Sequence, residues 1–343
     1  MPNTALGTLY RLGIAKNAAE GTAAGTATYD IQLYSGDVHP SEVRNRHEAT
    51  DTLGYRRGGY KSRAHVEGSP VFPSFPDAVG LLLTGHFGAD TIAGTVDPYS
   101  HVITRSNPLW HTVWMARPKN DATVSWERHD DVLIKAVELR GTAGNPIQVA
   151  CELLGKSSEA TVSAPTITTT NRLDNTGPYH TMIGATLDLD LDATPGTTQV
   201  RNISSFTLRF AYDNMDLIQT DELTPRFQDR GLWMVGFSAD IVLADYTEYL
   251  NTFFGSKTAS AQANSQSIVR GAIDFTLPVG PSADADRTLQ AVCPALEFSL
   301  TPPEPDVSGA AVTATLTAEL QHPASGEPAT VTLKNAVSTS YAA

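Results

Sequence analysis

Three aspartates alternate with leucines in the stretch GATLDLDLDATPG, Gly184 to Gly196. Side chains alternate between the two faces of a strand, so Asp188, Asp190 and Asp192 share one face. Neighbouring carboxylates in such a stripe lie about 6–7 Å apart and repel one another. The stripe fits a calcium site, an ordinary solvated strand face, or an acidic wall. The glycine and distal glutamate of an EF-hand loop are absent, and all three interpretations remain open.

Two other segments contain groups that catalytic or binding sites use. Gly155-Lys156-Ser157 matches half of a phosphate-binding loop, but Ala150 occupies the position of the first glycine, and the following residues read as strand and loop. The segment ERHDD, Glu127–Asp131, has no metal-ligand spacing and is predicted to be a solvated turn. The sequence also lacks a nucleophile elbow and a dinucleotide-binding fingerprint. We therefore predict no enzymatic activity and no cofactor.

Composition limits the class of protein. The 343 residues are 41% hydrophobic, which is typical of a globular protein with room for two domains. The net charge of −13 argues against tight phosphate contact, and the excess is uneven. Residues 1–165 hold 15 Lys and Arg against 17 Asp and Glu, whereas residues 166–343 hold 9 against 20. We expect no secretory signal and no membrane insertion, and we predict that Cys151 and Cys293 are buried free thiols.

Short alternating runs separated by turn residues fill most of the chain, which predicts antiparallel sandwiches or barrels. Two segments instead show a helical stripe of apolar residues. The first begins with a possible N-cap at Asp77 and stops at Gly88. The second begins at Asp245 and stops at Gly255. The apolar positions of the two stripes are separated by 167 residues throughout.

The order strand, long polar loop, strand, helix and distal strands occurs twice, which indicates an internal duplication. The dipeptide Val137-Glu138 has a counterpart in Leu296-Glu297, and the junction lies in the Thr-, Pro- and Asn-rich Ser163–His180. The sequence therefore predicts two tandem β domains, residues 1–165 and 166–343.

With this duplication, the chain resembles the tail tube proteins (major tail proteins) of long-tailed, non-contractile bacteriophages, in particular the larger members with two tube domains. The resemblance is carried by YDIQLYSGDVHPSE, HEATDTLGYRRGGYKSRAHVEGSP and FPDAVGLLLTGHFG, and in the second half by SSFTLRFAYDNMD, DRGLWMVGFSADIV and DYTEYLNTFFG. It implies mainly β domains of the sandwich or split-barrel type, each flanked by one helix. It also implies an inner sheet that joins those of neighbours into a barrel around a channel.

The resemblance implies a virion protein that assembles in the host cytoplasm into stacked rings and conducts DNA without binding it specifically. Since the family's rings are six-fold, three two-domain copies would complete a ring. The implied partners are further copies, a tape measure protein in the lumen, and terminator and tip proteins at the tail ends. In this setting the Asp188, Asp190 and Asp192 stripe would face the lumen or its rim, where negative charge repels phosphates.

Two polar loops, Val38–Tyr55 and Met215–Gln228, are longer than a hairpin needs. The resemblance implies that they stack one ring on the next, and solvated flexible loops are the alternative. Their charges alternate in sign. The candidate contacts are Glu42, Arg44, Arg46, Glu48 and Asp51 in the first loop, and Asp216, Asp221, Glu222 and Arg226 in the second.

Two alternatives remain open. A carbohydrate-binding or adhesin-like β-sandwich would have exposed aromatic residues on one sheet face and would be monomeric; Trp110 and Trp114 could share such a face. Another virion ring protein, such as a tail terminator, would form rings but not long tubes.

Overall fold

The computed structural model describes residues 10–46, 59–119, 123–171, 178–190, 200–218, 225, 227–229, 231–242, 270–280, 286–301, 313–320 and 325–343. Within these ranges the chain is mainly β, which confirms the predicted class. No helix in the described part is long and apolar enough to cross a membrane.

The first half contains ten strands and the one helix of the described residues. They are β1 Arg11–Lys16, β2 Thr26–Gln32, β3 Val38–Arg46, β4 Gly59–Gly68, β5 Val71–Pro73, α1 Pro76–Phe87, β6 Gly88–Ala93, β7 Tyr99–Arg105, β8 His111–Pro118, β9 Val124–Thr142 and β10 Gln148–Val162.

The second half contributes eleven more strands. They are β11 Thr166–Asn171, β12 Tyr179–His180, β13 Thr186–Asp190, β14 Val200–Tyr212, β15 Asp216–Ile218, β16 Phe227–Asp229, β17 Trp233–Val242, β18 Arg270–Gly280, β19 Thr288–Leu300, β20 Thr313–Leu320 and β21 Thr330–Asn335.

Each half contains a closed circuit of antiparallel pairs. In the first, β2 pairs with β1, β1 with β8, β8 with β9, β9 with β10, and β10 with β4 and β5. A bridge between Ser35 and Val71 closes this circuit. In the second, the order is β14, β13, β18, β19, β20, β17 and back to β14. Closing a sheet in this way removes exposed edges inside each half.

Among the described strands, three pairings join the halves. β9 pairs with β14, β11 runs parallel to β2, and β21 bridges β7 and β19. The predicted junction segment is therefore partly a strand, since β11 lies within it.

Helix α1 confirms the first predicted helix, although its start differs. Phe75 is the N-cap and makes no side-chain cap, while Asp77 lies in the first turn, so the predicted N-cap was wrong. A carboxylate in that turn still interacts favourably with the helix dipole. Gly88 ends the helix with φ 100°, where an added side chain would collide with the backbone of Asn107. The predicted helix from Asp245 to Gly255 lies outside the described residues.

Every residue of α1 except Asp77 is buried, whereas the sequence showed only one apolar stripe. The helix packs against β6, β7 and β9 of its own half and β21 of the other. Both predicted thiols, Cys151 and Cys293, are free and buried, as expected.

Two segments that the sequence assigned to loops or turns are strands. Val38–Arg46 was predicted as the start of a polar loop but forms β3, and the second loop contains the short β15–β16 hairpin. An edge strand exposed on both faces shows no hydrophobic alternation, so its sequence looks like a loop.

The ERHDD segment lies inside β9 and is not a solvated turn. Its two aspartates form a β-bulge: the register against β8 shifts there, and Asp131 has φ 50°. The Asp131 carboxylate accepts a hydrogen bond of 2.8 Å from the Gly21 amide. His129 in the same segment is fully buried.

The C-terminal segment packs back onto the first half. The Tyr341 hydroxyl donates to the Asp77 carbonyl (2.8 Å) and accepts from Asn335 Nδ2 (2.7 Å). Its ring covers Gly80 of α1 so closely that any side chain at Gly80 would overlap it. The Tyr341 amide donates to Asp90 (2.8 Å). This segment therefore ties the end of the described chain to α1 and β6.

We expect Gly80→Ala to displace Tyr341 and to lower the free energy of unfolding by about 1–3 kcal/mol, the usual cost of overpacking. Urea denaturation and hydrogen exchange of residues 336–343 measure the two effects. Gly25→Ala is the matched control, because an added methyl there meets nothing within 4 Å. Equal stability of the two variants would show that Tyr341 does not depend on this contact.

Candidate assembly interface

In each half, four strands pair side by side in an equivalent order. In the first unit, β3 pairs with β4, β4 and its continuation β5 pair with β10, and β10 pairs with β9. In the second unit, β14 pairs with β17, β17 with β20, and β20 with β19. We call β3 and β14 the leading strands, and β9 and β19 the trailing strands. The trailing strand of the first unit pairs with the leading strand of the second.

A single row of opposed residues crosses both units. It begins at Ser35, which lies between β2 and β3, and continues through Val71, Ala150, Glu138, Arg209, Gly236, Glu319 and Glu297. Glu138 and Glu297 occupy the trailing place of each unit, the two positions that the repeated dipeptide had matched in the sequence. The two units therefore form one continuous antiparallel sheet.

We call the pairing of β9 with β14 the seam between the units. It combines backbone pairing with ion pairs. β9 and β14 pair over seven positions, from Ala136 opposite Ala211 to Thr142 opposite Ser205. Arg209 on the leading strand reaches Glu138 on the trailing strand (3.1 Å) and Glu152 on the strand behind it (2.6 Å).

Electrostatics at the seam favour the charged forms of its residues. Burial would raise the pKa of Glu138, but hydrogen bonds from Arg140 and Arg209 outweigh it and lower that pKa. Burial would lower the pKa of Arg209, but Glu152 and Glu138 raise it. The seam thus pairs a basic leading strand with carboxylates on two trailing-side strands.

The inner side of the second unit is locked to α1 through His86. Its Nδ1 lies 2.9 Å from the Ile134 carbonyl, and its Nε2 accepts from Trp233 Nε1 at 2.9 Å. The ring is therefore neutral with the proton on Nδ1. Burial lowers the pKa of His86 to about 4.

A shallow groove of about 220 Å³ lies on the outer face of the second unit, by which we mean the sheet face turned away from the hydrophobic core. Its walls include Arg209, Trp233, Met234 and Glu319, and Gly236 leaves its floor without a side chain. Glu319 stands directly opposite Glu297 on β19, so two carboxylates lie at the trailing side of the second unit.

The leading hairpin of the first unit, β3 with β4, carries part of the predicted contact set. Glu42 forms ion pairs with Arg44 (2.8 Å) and with Lys61 across the hairpin. Hydrogen bonds from Lys61 and Arg44 lower the pKa of Glu42. Arg46 ends β3, with its side chain outside the described set, and Glu48 and Asp51 lie outside the described residues.

Of the second predicted contact set, the structure describes Asp216. Its carboxylate accepts from Arg63 of β4 at 2.6 Å and from the Leu217 amide at 2.7 Å. The hydrogen bond from Arg63 lowers the pKa of Asp216. The structure thus joins the second predicted loop to β4, the strand that pairs with β3 of the first predicted loop, within one chain. Asp221, Glu222 and Arg226 lie outside the described residues.

The aspartate stripe begins on β13. Leu187 is fully buried and Asp188 lies on the opposite face, directly across from Asp274 of β18. Asp190 pairs through its backbone with Ala272; its side chain is outside the described set, and Asp192 lies outside the described residues. In the described part of the chain, no three His, Cys, Asp or Glu residues are arranged to hold a metal ion.

Sequence reasoning missed the residues that hold the seam together. Arg209 and Glu152 are separated by more than fifty positions, and only the pairing of β14 and β10 with the two edges of β9 brings them together. Glu138 could have been found, since its dipeptide recurs at Glu297. Lys156 of the incomplete phosphate loop lies in β10, pairs with Glu20 and covers the Trp110 ring at 4.7 Å.

We expect Arg209→Ala to lower the free energy of unfolding by about 1–3 kcal/mol, because it leaves the buried Glu138 with one cationic partner fewer. Arg209→Lys should recover only part of this loss, since one ammonium cannot match the two-carboxylate geometry. Denaturant titration measures both. An alanine variant as stable as the parent chain would show that backbone pairing alone holds the seam.

Comparison of the sequence with protein-family models and with curated proteins gave no match.

Proposed function

We propose that this protein is a structural subunit that assembles into stacked rings and forms a hollow tube of the phage-tail type. The observation that carries the proposal is the continuous sheet in which two four-strand units join trailing strand to leading strand. Such a head-to-tail contact can be repeated by further copies. When the rotation between units closes, it builds a ring.

The order of strands supports an internal duplication within this proposal. Each half has its own closed circuit and its own four-strand unit, which agrees with domains of residues 1–165 and 166–343. A chain with two tube domains needs three copies for a ring of six units. β11 and β21 pair with strands of the first half and would hold the two domains of a subunit together.

The outer face of the second unit has the chemistry expected of a channel wall. Asp240 accepts hydrogen bonds of 2.7 Å from both Ser205 and Thr315, which lowers its pKa and keeps it charged. Glu319 and Glu297 add carboxylates on the same face. Carboxylates among short hydroxyl side chains repel DNA phosphates and offer no base-stacking platform. Asp188 lies on the face of the neighbouring β13 opposite the buried Leu187, and in this proposal the predicted stripe of Asp188, Asp190 and Asp192 would extend this acidity toward the rim.

The tryptophans do not favour the carbohydrate-binding alternative. Trp114, Trp126 and Trp233 are each less than a tenth exposed, and Trp110 is covered by Lys156. An exposed aromatic platform for sugars is therefore lacking among them. No described arrangement favours catalysis either, and we propose no enzymatic role.

Electron microscopy and mass measurement of the purified protein test the proposal. We expect hollow tubes, or rings with the mass of three chains, at high concentration. Protein that stays monomeric at every concentration and salt, and also when seeded with tail tips, would overturn it. In the virion, the expected partners are other copies, a tape measure protein in the lumen, tail-tip and terminator proteins, and DNA in transit.

A further inference from the structure

We propose that residues 336–343, which we call the clasp, form a pH-controlled latch: the doubly protonated ring of His101 holds the clasp against α1 and β6, and loss of one ring proton releases it. The latch belongs to a single chain and does not depend on the proposed assembly. His101 lies on β7, opposite Leu333 in the β7–β21 pairing that joins the two halves. The clasp follows directly after β21.

Both nitrogens of the His101 ring face oxygen atoms that act as acceptors. Nδ1 lies 2.9 Å from Asp90 Oδ2, which also accepts from the Tyr341 amide, and Nε2 lies 2.9 Å from the Val337 carbonyl of the clasp. A neutral imidazole donates through one nitrogen, whereas the imidazolium donates through both. Because each contact needs a donor from the ring, His101 is an imidazolium in the closed clasp.

The charged ring is enclosed with its counterion. The side chains of His101 and Asp90 are both 0% exposed. Tyr341 of the clasp covers the ring, with 4.8 Å between the ring centroids. The titratable groups that face His101 are therefore Asp90 from β6, Asp77 from α1 and Tyr341 from the clasp, while β21 places Leu333 opposite it. Both carboxylates favour the charged ring.

The direction of the pH dependence follows from these contacts. Burial acts to lower the pKa of His101, but the hydrogen bonds to Asp90 and to the Val337 carbonyl outweigh it and raise that pKa. Burial also raises the pKa of Tyr341, so its phenol stays neutral while the histidine titrates. In the open clasp, the ring has the ordinary histidine pKa of about 6.5. The clasp is therefore most stable below that pH and loses stability as the pH rises through the folded pKa of His101.

Loss of one proton breaks the contact between ring and clasp. A neutral ring that keeps its Nδ1 proton against the Asp90 carboxylate turns the Nε2 lone pair toward the Val337 carbonyl, so two acceptors then face each other. Asp90 also holds the clasp through the Tyr341 amide at 2.8 Å and through the Ser340 hydroxyl, which donates to its backbone carbonyl at 3.0 Å. Release therefore uncovers the side of α1 at Gly80 that the Tyr341 ring covers.

Two measurements on the unassembled parent chain test the latch. Nitrogen NMR of protein with isotope-labelled histidine reports the protonation of each ring nitrogen, and we expect both nitrogens of His101 to be protonated at pH 6. Hydrogen exchange, corrected for intrinsic rates, reports the opening of the clasp. We expect the opening constant at the Tyr341 amide to rise by up to about tenfold per pH unit above pH 6.5, until the folded ring has titrated. The amides of β17 in the same sample are the internal control.

Three variants assign the effect to the ring. His101→Gln should leave the clasp less protected and its protection constant from pH 6 to pH 9, because an amide does not titrate there. Asp90→Asn should also abolish the rise, because the charge that holds the second ring proton is gone. His39→Gln is the matched control, since His39 is an exposed histidine on β3 and its replacement should not affect the clasp. Circular dichroism verifies that each variant is folded.

A neutral His101 ring at pH 6, or protection of the clasp that stays level from pH 6 to pH 9 in the parent chain, would overturn the latch. An equal rise in the parent chain and in His101→Gln would assign the opening to another group and would overturn it as well. None of these results bears on the proposed tube, which is tested by assembly alone.

Discussion

Acidification below pH 6.5 is expected to unfold this protein, because four histidines are fully buried with neutral rings: His86, His111, His129 and His180. Burial lowers the pKa of each of them to about 4. An unfolded histidine has a pKa near 6.5. Between these values the unfolded chain binds protons that the folded chain cannot, so stability falls as the pH falls.

The expected effect is large. Each of the four groups contributes about 3 kcal/mol between pH 6.5 and pH 4, and a slope of about 1.4 kcal/mol per pH unit while it titrates. Two kinds of group oppose them. His101 has a raised pKa because Asp90 and the Val337 carbonyl outweigh its burial, and burial raises the pKa of Asp77 and Asp130. These three groups favour the fold on acidification but cannot offset four histidines.

Urea denaturation of the monomeric protein at several pH values between 7.5 and 4.5 measures this effect. His180→Asn is an informative variant, because its amide can still bond to Ser74, which lies 2.8 Å from the ring. It should reduce the slope of the unfolding free energy against pH by the contribution of one titrating histidine, about 1.4 kcal/mol per pH unit. Stability that stays level from pH 6.5 to 4.5 would contradict the assignment of neutral buried rings.

Trp233→Ala is expected to be the most destabilising single substitution at the contact between the halves, at about 3–5 kcal/mol. The indole is only 8% exposed and lies against Phe87 (5.3 Å between ring centroids) and Phe210 (6.4 Å). Its Nε1 donates to His86, so truncation leaves a cavity and also an unpaired buried nitrogen.

Leu232→Ala is the matched control, because the adjacent leucine is 75% exposed and should change stability by less than about 0.5 kcal/mol. Trp233→Phe keeps much of the apolar area but lacks the donor, and should lie between the two. Denaturant titration ranks the three variants. If Trp233→Ala and Leu232→Ala were equally stable, the β17–α1 contact would not hold the halves together.

Local sequence patterns predicted the parts of the structure that depend on neighbouring residues. The mainly β class, helix α1 and its end at Gly88, and the two buried thiols follow from periodicity, turn residues and cysteine spacing. The same patterns failed at β3, where charges on both faces hide the strand. They also failed at the Asp130–Asp131 bulge, where polar residues suggested a turn inside a continuous strand.

The sequence by itself determined which segments form strands and which form a helix. It also contains the repetition at Val137-Glu138 and Leu296-Glu297. These features depend on residues that are adjacent along the chain. Only the tertiary structure decided that β9 pairs with β14, and that Arg209 bridges Glu138 and Glu152. It alone decided that His86 is enclosed by both halves. A strand's sequence specifies its two faces, whereas its partner is chosen at its edges, where every backbone offers the same donors and acceptors.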